Sequence, residues 1–300
     1  MNIIDKKGIL LGIAGVLVGL SILSIFVFGF EEGIDFKGGT VWQVKVTEDS
    51  TTPEILETTV KEQLPSVGDI RVALETTSDS FLVRLPVLSE EDHQKLVSAF
   101  STKFSGFNEL SFQSIGPSVG AELRKKSMVS IVLVLLGISL YIAYAFRKVS
   151  RPISSWKYGV VTLFSLLHDI AIPAGLMALL GHYSGVEIDS NFIVALLVVM
   201  GFSVHDTIVV FDRIRENLYL DKGKSDFKEV INQSIKQTIA RSINTSLTLV
   251  IVLIALYLVG PSTLHYFILT LLVGVVMGTY SSIFVASPIL YIWQNLKKSK

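Results

Sequence analysis

Long apolar runs interrupted by polar stretches set the architecture of this chain. The first run, Ile9 to Phe30, follows Lys6 and Lys7 and is long enough to cross a bilayer. No small-residue cleavage site precedes Glu31 and Glu32, so it reads as a retained signal-anchor with its amino end in the cytoplasm. Further runs at about 128–146, 158–180, 191–211, 243–258 and 266–293 complete a polytopic α-helical membrane protein with six transmembrane helices. Residues 1–30 form the first helix, 31–127 an extracytoplasmic domain, and 128–300 a five-helix membrane domain with a cytoplasmic loop at 212–242.

Inside the polar stretch the period changes. Val41 to Val46 alternates as a strand, Thr51 to Leu64 has helical spacing, and Asp69 to Leu74 and Phe81 to Leu85 are two further strands. Ser89 caps a second helix that runs through Phe104, with Glu90 to Asp92 placed favourably at its positive end. A short strand from Glu109 to Ser114 closes the set. The order βαββαβ is that of a ferredoxin-like α+β domain, a fold that names no activity.

Charge orients the spans. Arg147, Lys148, Arg151 and Lys157 place the loop after the second span in the cytoplasm, as Lys297, Lys298 and Lys300 place the carboxyl end. Arg124 to Lys126 oppose this, but they close a long domain, where the rule counts for little. The expected protein is therefore multi-pass in the cytoplasmic (inner) membrane, both termini inside and the large domain outside, in the periplasm. Net charge is zero and the chain has no cysteine. Neither a nucleic-acid partner nor a thiolate metal site or nucleophile follows.

Against this apolar background a few polar residues stand out. Asp206, preceded by His205, lies about 15 residues into the fourth span, below mid-bilayer but still in hydrocarbon. An ionisable group there costs roughly 2.5 to 3.5 kcal/mol unless it faces protein or water and finds a partner. Asp169, preceded by His168, shares a stripe of the third span with Thr162, Ser165 and Pro173, and that proline leaves the Asp169 carbonyl without its helical donor. Arg241 stands at the inner end of the fifth span, on a stripe with Thr245 and Thr248 and beside Asn244. It either snorkels to the interface or couples to Asp206. His205 and His168 are candidate proton relays, or are satisfied by neighbouring carbonyls.

Two kinds of close packing are open. Gly8, Gly12, Gly15 and Gly19 in the first span, and Gly274, Gly278 and Ser282 in the sixth, admit a close helix or reflect the tolerance of membrane helices for glycine. The amphipathic segment with Phe227, Val230, Ile231, Ile235 and Ile239, capped by Ser225, either lies along the inner surface or packs on its neighbours. No GxxxxGK loop is present, so nothing points to ATP as the fuel. Gly33, Asp35, Gly38, Gly39 and Thr40 of GIDFKGGT serve backbone geometry between membrane and domain. Buried acids without a nucleotide site point to the proton potential, worth roughly 2.3 kcal/mol per charge per 100 mV.

GIDFKGGT, SIGPSVGAELRKKS, LLHDIAI, VHDTIVVFDRIREN and RSINTSLT, in that order, resemble the SecF family of bacterial protein-export membrane proteins. The resemblance implies a six-span relative of the resistance-nodulation-division transporters, without enzymatic chemistry, cofactor or metal. It implies SecD, the SecYEG channel, YajC and exported preproteins as partners, within membrane lipid. The family's membrane carboxylate falls on Asp206 and its arginine on Arg241, with the pair His168 and Asp169 in a related role. Six spans are half the superfamily's set, so the proton path is expected to be shared with SecD. The competing readings are a proton-coupled exporter of small molecules or lipids, and an assembly protein whose acids only hold helices together.

Overall fold

The computed structural model describes residues 2–47, 51–75, 79–147, 153–221 and 224–296. Lys148, Arg151, Lys297, Lys298 and Lys300, part of the expected charge bias, lie outside them. Among the described residues, six helices are long and apolar enough to cross a membrane. The chain divides into two compact units, Glu32–Met128 and the remainder, Met1–Glu31 with Val129–Lys300.

The smaller unit opens with α2 (Ile34–Lys37), one turn that delivers the chain into β1 (Gly39–Lys45). Then come α3 (Pro53–Gln63), β2 (Arg71–Glu75), β3 (Ser80–Leu85), α4 (Glu90–Lys103) and β4 (Asn108–Ile115). The four strands form one antiparallel sheet in the order β2-β3-β1-β4. Trp42 and Val44 of β1 are fully buried, as are Leu56 and Val60 of α3 and Leu96 and Phe100 of α4. These side chains belong to one apolar core, which seats the helices on the sheet. Ser89 caps α4 as its position in the sequence requires: its hydroxyl accepts from Asp92 N–H at 3.1 Å and donates to the Asp92 carboxylate at 2.8 Å.

The membrane unit contains α1 (Lys7–Phe28), the later part of α5 (Pro117–Ala145), α6 (Ser155–Ser184), α7 (Ser190–Asp221) and α8 (Phe227–Val259). The sixth span is α9 (His265–Ser281), a π turn (Ser282–Ala286) and α10 (Ser287–Leu296). Pro288 accounts for the π turn, because it has no N–H for the Phe284 carbonyl one turn back, and a widened turn lets the ladder pass. The serine hydroxyl of Ser287 donates to the Ser282 carbonyl at 3.5 Å within the same segment. Pro173 sits inside α6 without ending it.

Helices α6, α7 and α9 form the buried heart of this unit, and small residues bring them together. A Cβ on Gly274 would strike the Val199 side chain, and one on Gly278 would lie 2.9 Å from Ser203 Cβ. The expected glycine face of the sixth span is therefore a contact with α7. On α1, by contrast, Gly8, Gly12, Gly15 and Gly19 have nothing within 4 Å of such a Cβ. Instead α1 packs through other positions: Ser24 donates to the Gly175 carbonyl of α6 at 2.9 Å, and the Leu10 carbonyl accepts from the Tyr280 hydroxyl of α9 at 3.0 Å.

Two readings of the segment before the fifth span are corrected or resolved. It is no surface-lying helix. Phe227, Val230, Ile231 and Ile235 are buried on the first three turns of α8, which continues unbroken into the span. Phe227, Ile231 and Ile235 pack with Ile4, Phe211 and Ile214, burial worth roughly 1.5 to 3 kcal/mol per large side chain. The cap residue is Asp226, not Ser225, whose N–H and hydroxyl are both taken by the Asp221 carboxylate at 2.8 and 2.6 Å.

Candidate functional site

Asp169 of α6 is completely buried and its carboxylate is saturated. Oδ1 meets His168 Nδ1 at 2.8 Å, and Oδ2 accepts from Ser281 of α9 at 2.8 Å and from Ser203 of α7. Ser165, one turn before Asp169, reaches Ser281 Oγ at 3.0 Å. Three helices thus converge on one carboxyl. Hydrogen bonding of this density is what makes a polar group tolerable in a dry interior. His168 is itself buried, with the far nitrogen of its ring, Nε2, unpartnered and its face against Tyr280 at 6.1 Å between centroids.

Asp206 of α7 is only 2% exposed and far less well served. A single hydroxyl, Ser246 of α8, reaches it at 3.4 Å, at the outer limit of a hydrogen bond. Ser246 is joined in turn by Thr279 of α9. Ser242, one turn before Ser246, is buried beside the same carboxyl, its hydroxyl near it but outside good hydrogen-bond geometry. Between them, α7 and α9 serve both acids: α7 carries Ser203 and Asp206, and α9 carries Ser281 and Thr279. One carboxyl is held from every side, and its neighbour retains capacity for a partner.

Of the other residues singled out in the sequence, Arg241 and His205 act on the Asp206 carboxyl electrostatically, without a hydrogen bond or ion pair to it. Arg241 is exposed and makes no ion pair with Asp206, and His205 faces outward from α7. Asn244, Thr245 and Thr248 are exposed too, so the stripe shared with Arg241 lies on the outside of α8. What faces inward is Ser234, Thr238, Ser242 and Ser246, a hydroxyl every fourth residue. That periodicity is visible in the sequence and was the available signal. Ser203, Thr279 and Ser281 carried no comparable one, because isolated small hydroxyl residues are ordinary in membrane helices.

The glycine-rich motif has a structural part. Gly33 caps α2 with extended backbone, and Gly38 and Gly39 adopt φ of +79° and +131°, where a side chain is strained. A Cβ on Gly38 would lie 2.9 Å from Pro117 Cα, and one on Gly120 would lie 2.8 Å from the Phe36 carbonyl. Two motifs far apart in the chain are therefore halves of one backbone contact. Asp35 accepts from Gln113 at 3.4 Å. Buried Thr40 meets Ser114 Oγ at 2.8 Å and accepts from Leu88 N–H at 3.1 Å, pinning the start of β1 to the end of β4.

Comparison with known proteins bears on the family of the chain. The family described as "Protein export membrane protein SecD/SecF, C-terminal" matches residues 95–296, and the "SecD/SecF GG Motif" matches residues 23–49. The chain is 44% identical over 279 residues to the protein translocase subunit SecF of Thermobaculum terrenum, covering 90% of this chain and 87% of that one. Against the SecF of Anaerolinea thermophila it is 36% identical, covering 98% and 94%. The crystal structure of SecDF, a translocon-associated membrane protein from Thermus thermophilus, superposes with a TM-score of 0.81 at 34% identity. That match covers 98% of this chain and 39% of the SecDF chain. A multi-pass membrane chain with these motifs, full-length relatives and this fold is a subunit of Sec protein export, and it belongs to the SecF family of protein-export membrane proteins.

Proposed function

We propose that the chain works with SecD as a proton-driven accessory subunit of Sec export, with both termini in the cytoplasm and the smaller unit outside. Asp206 takes up and releases the proton. Asp169 is the second carboxyl of the same machinery, Arg241 adjusts the electrostatics at its inner end, and the outer unit passes the movement to a preprotein leaving the SecYEG channel, with YajC as a further associate. The observation that carries this reading is Asp206: a carboxyl buried in a membrane span and met by one long hydrogen bond has a site built to keep it and room to change its partner.

The longer Thermus SecDF supports the choice of SecD, since a single chain there contains a counterpart of this one and much more. Moving one proton down the gradient supplies roughly 2.3 kcal/mol per 100 mV, with no nucleotide needed. The test is preprotein export into energised membrane vesicles that contain SecD and Asp206→Asn, with the complex quantified in the same samples. Normal complex and lost proton-dependent export are expected. Full proton-dependent export by that variant would overturn the reading, and lost complex would make Asp206 a structural group.

A further inference from the structure

The Ser281 hydroxyl accepts from Ser165 Oγ at 3.0 Å, and its one proton has two acceptors within reach: Asp169 Oδ2 at 2.8 Å and its own Gly278 carbonyl at 3.1 Å. A hydroxyl donates once, so these bonds exclude each other. With Asp169 ionised, the charge-assisted bond to the carboxylate is the stronger and takes the proton. With Asp169 protonated, the carboxyl has a proton of its own to give, the pull on Ser281 falls, and the hydroxyl turns to Gly278. Bonding of a serine hydroxyl back to its own helix loosens and bends it.

That change falls where the sixth span is already irregular. Ser281 is the last residue of α9, and the π turn begins at Ser282, whose hydroxyl donates to the Thr279 carbonyl at 3.0 Å. π turns hold an extra residue, and moving one along a helix rotates the intervening residues by about 100°. Beyond it, α10 continues as one helix to Leu296, and near its end it meets α6 through the long side chain of Lys157, a buried lysine whose Nζ donates to Gln294 at 2.8 Å and to the Trp293 carbonyl at 3.3 Å. A rotation at the π turn is therefore carried along α10 to the far end of the span.

We propose that Ser281, with the π turn behind it, is the positioning residue through which a change of proton on Asp169 moves α10. This rests on the reading of Asp169 as part of the proton machinery. The titratable groups around Asp169 are His168 on its own helix and Tyr280 of α9 stacked on that ring. From α7 it meets Ser203, while Asp206 on the same helix reaches Ser246 of α8. The proton on Asp169 is thus read by hydroxyls.

The chain has no cysteine, so two introduced ones carry the only labels. Spin labels at exposed Leu220 of α7 and Leu296 of α10, in the full chain with SecD in vesicles, report their separation at acid and at alkaline pH. The distance distribution is expected to differ between the two pH values. Ser281→Ala should abolish the difference, and Ser281→Thr, which keeps the hydroxyl, should retain it. Asp169→Asn should hold one distribution at both pH values, a result that does not depend on the serine variant assembling. A wild-type distribution that ignores pH overturns the proposal, as does an Asp169→Asn or Ser281→Ala chain that responds like wild type. Proton-dependent export is measured on the same vesicles. If export ignores the gradient while the labels respond as expected, the functional reading fails and this one stands.

Discussion

At the scale of single residues the membrane unit depends on positions where a side chain has been left out. Gly175 of α6 is the clearest, since a Cβ there would lie 2.4 Å from Cα and Cβ of Ser21 and 2.8 Å from its carbonyl oxygen. Backbone cannot swing aside as a long side chain can. Gly175→Ala should push α1 off α6 and cost about 1 to 3 kcal/mol, the usual penalty of overpacking. A lower midpoint of thermal unfolding in detergent checks this, and Gly12→Ala, where the space is open, is the control and should leave the midpoint unchanged. The sequence offers Gly12 as a close-packing position and gives Gly175 no such mark. Which of them touches another helix depends on neighbours that are distant in the chain, and no local pattern encodes that. The acids were legible for the opposite reason: a carboxyl in hydrocarbon is conspicuous wherever its partners come from.

Elements were legible as far as their signals are local. The cap on α4 combines Ser89 with a carboxylate three residues on, and both hydrogen bonds form. Ser89→Ala should destabilise the smaller unit by about 1 kcal/mol. Buried Trp42 reports its unfolding by fluorescence once Trp156 and Trp293 are replaced by Phe. The Ser89 hydroxyl, and after it Lys95, holds the Asp92 carboxyl below its ordinary range. A carboxyl with a depressed folded-state value stabilises at neutral pH and loses that contribution as pH falls from the unfolded value, about 3.9, through the folded one. The gap between wild type and Ser89→Ala should accordingly narrow as the unfolding is repeated in acid, and a gap that widens would contradict this assignment. Where a signal was less local, the reading slipped. Amphipathic spacing before the fifth span fits a lipid surface and a protein neighbour equally. The neighbour prevails here because Ile4, whose N–H donates to Asn232 at 3.2 Å, and Ile214 of α7 offer an apolar surface with no water left between.

For the whole molecule, the exposed polar face of α8 is the feature this chain does not resolve by itself. Arg241, Asn244, Thr245 and Thr248 face outward along the middle of α8, and His205 faces outward midway along α7. A long arginine side chain can snorkel to water, and the Thr248 hydroxyl donates to the Thr245 carbonyl at 2.8 Å, but the Asn244 amide facing lipid gains nothing unless another helix pairs with it. The match to 39% of the Thermus SecDF chain leaves a counterpart of ample size, and the functional reading assigns it to SecD. Thr245 is a suitable probe, being exposed and therefore open to enlargement without harm to the fold of this chain. Thr245→Trp should leave the solubilised chain folded, with an unchanged unfolding midpoint, while the amount of SecD recovered with it falls about tenfold, equivalent to about 1.4 kcal/mol of association. Val259→Trp, at an exposed apolar position near the opposite end of α8, should leave recovery unchanged. Equal recovery from both variants would move the SecD contact away from α8, and would leave the polar stripe beside Arg241 to face a water-filled path instead of a helix.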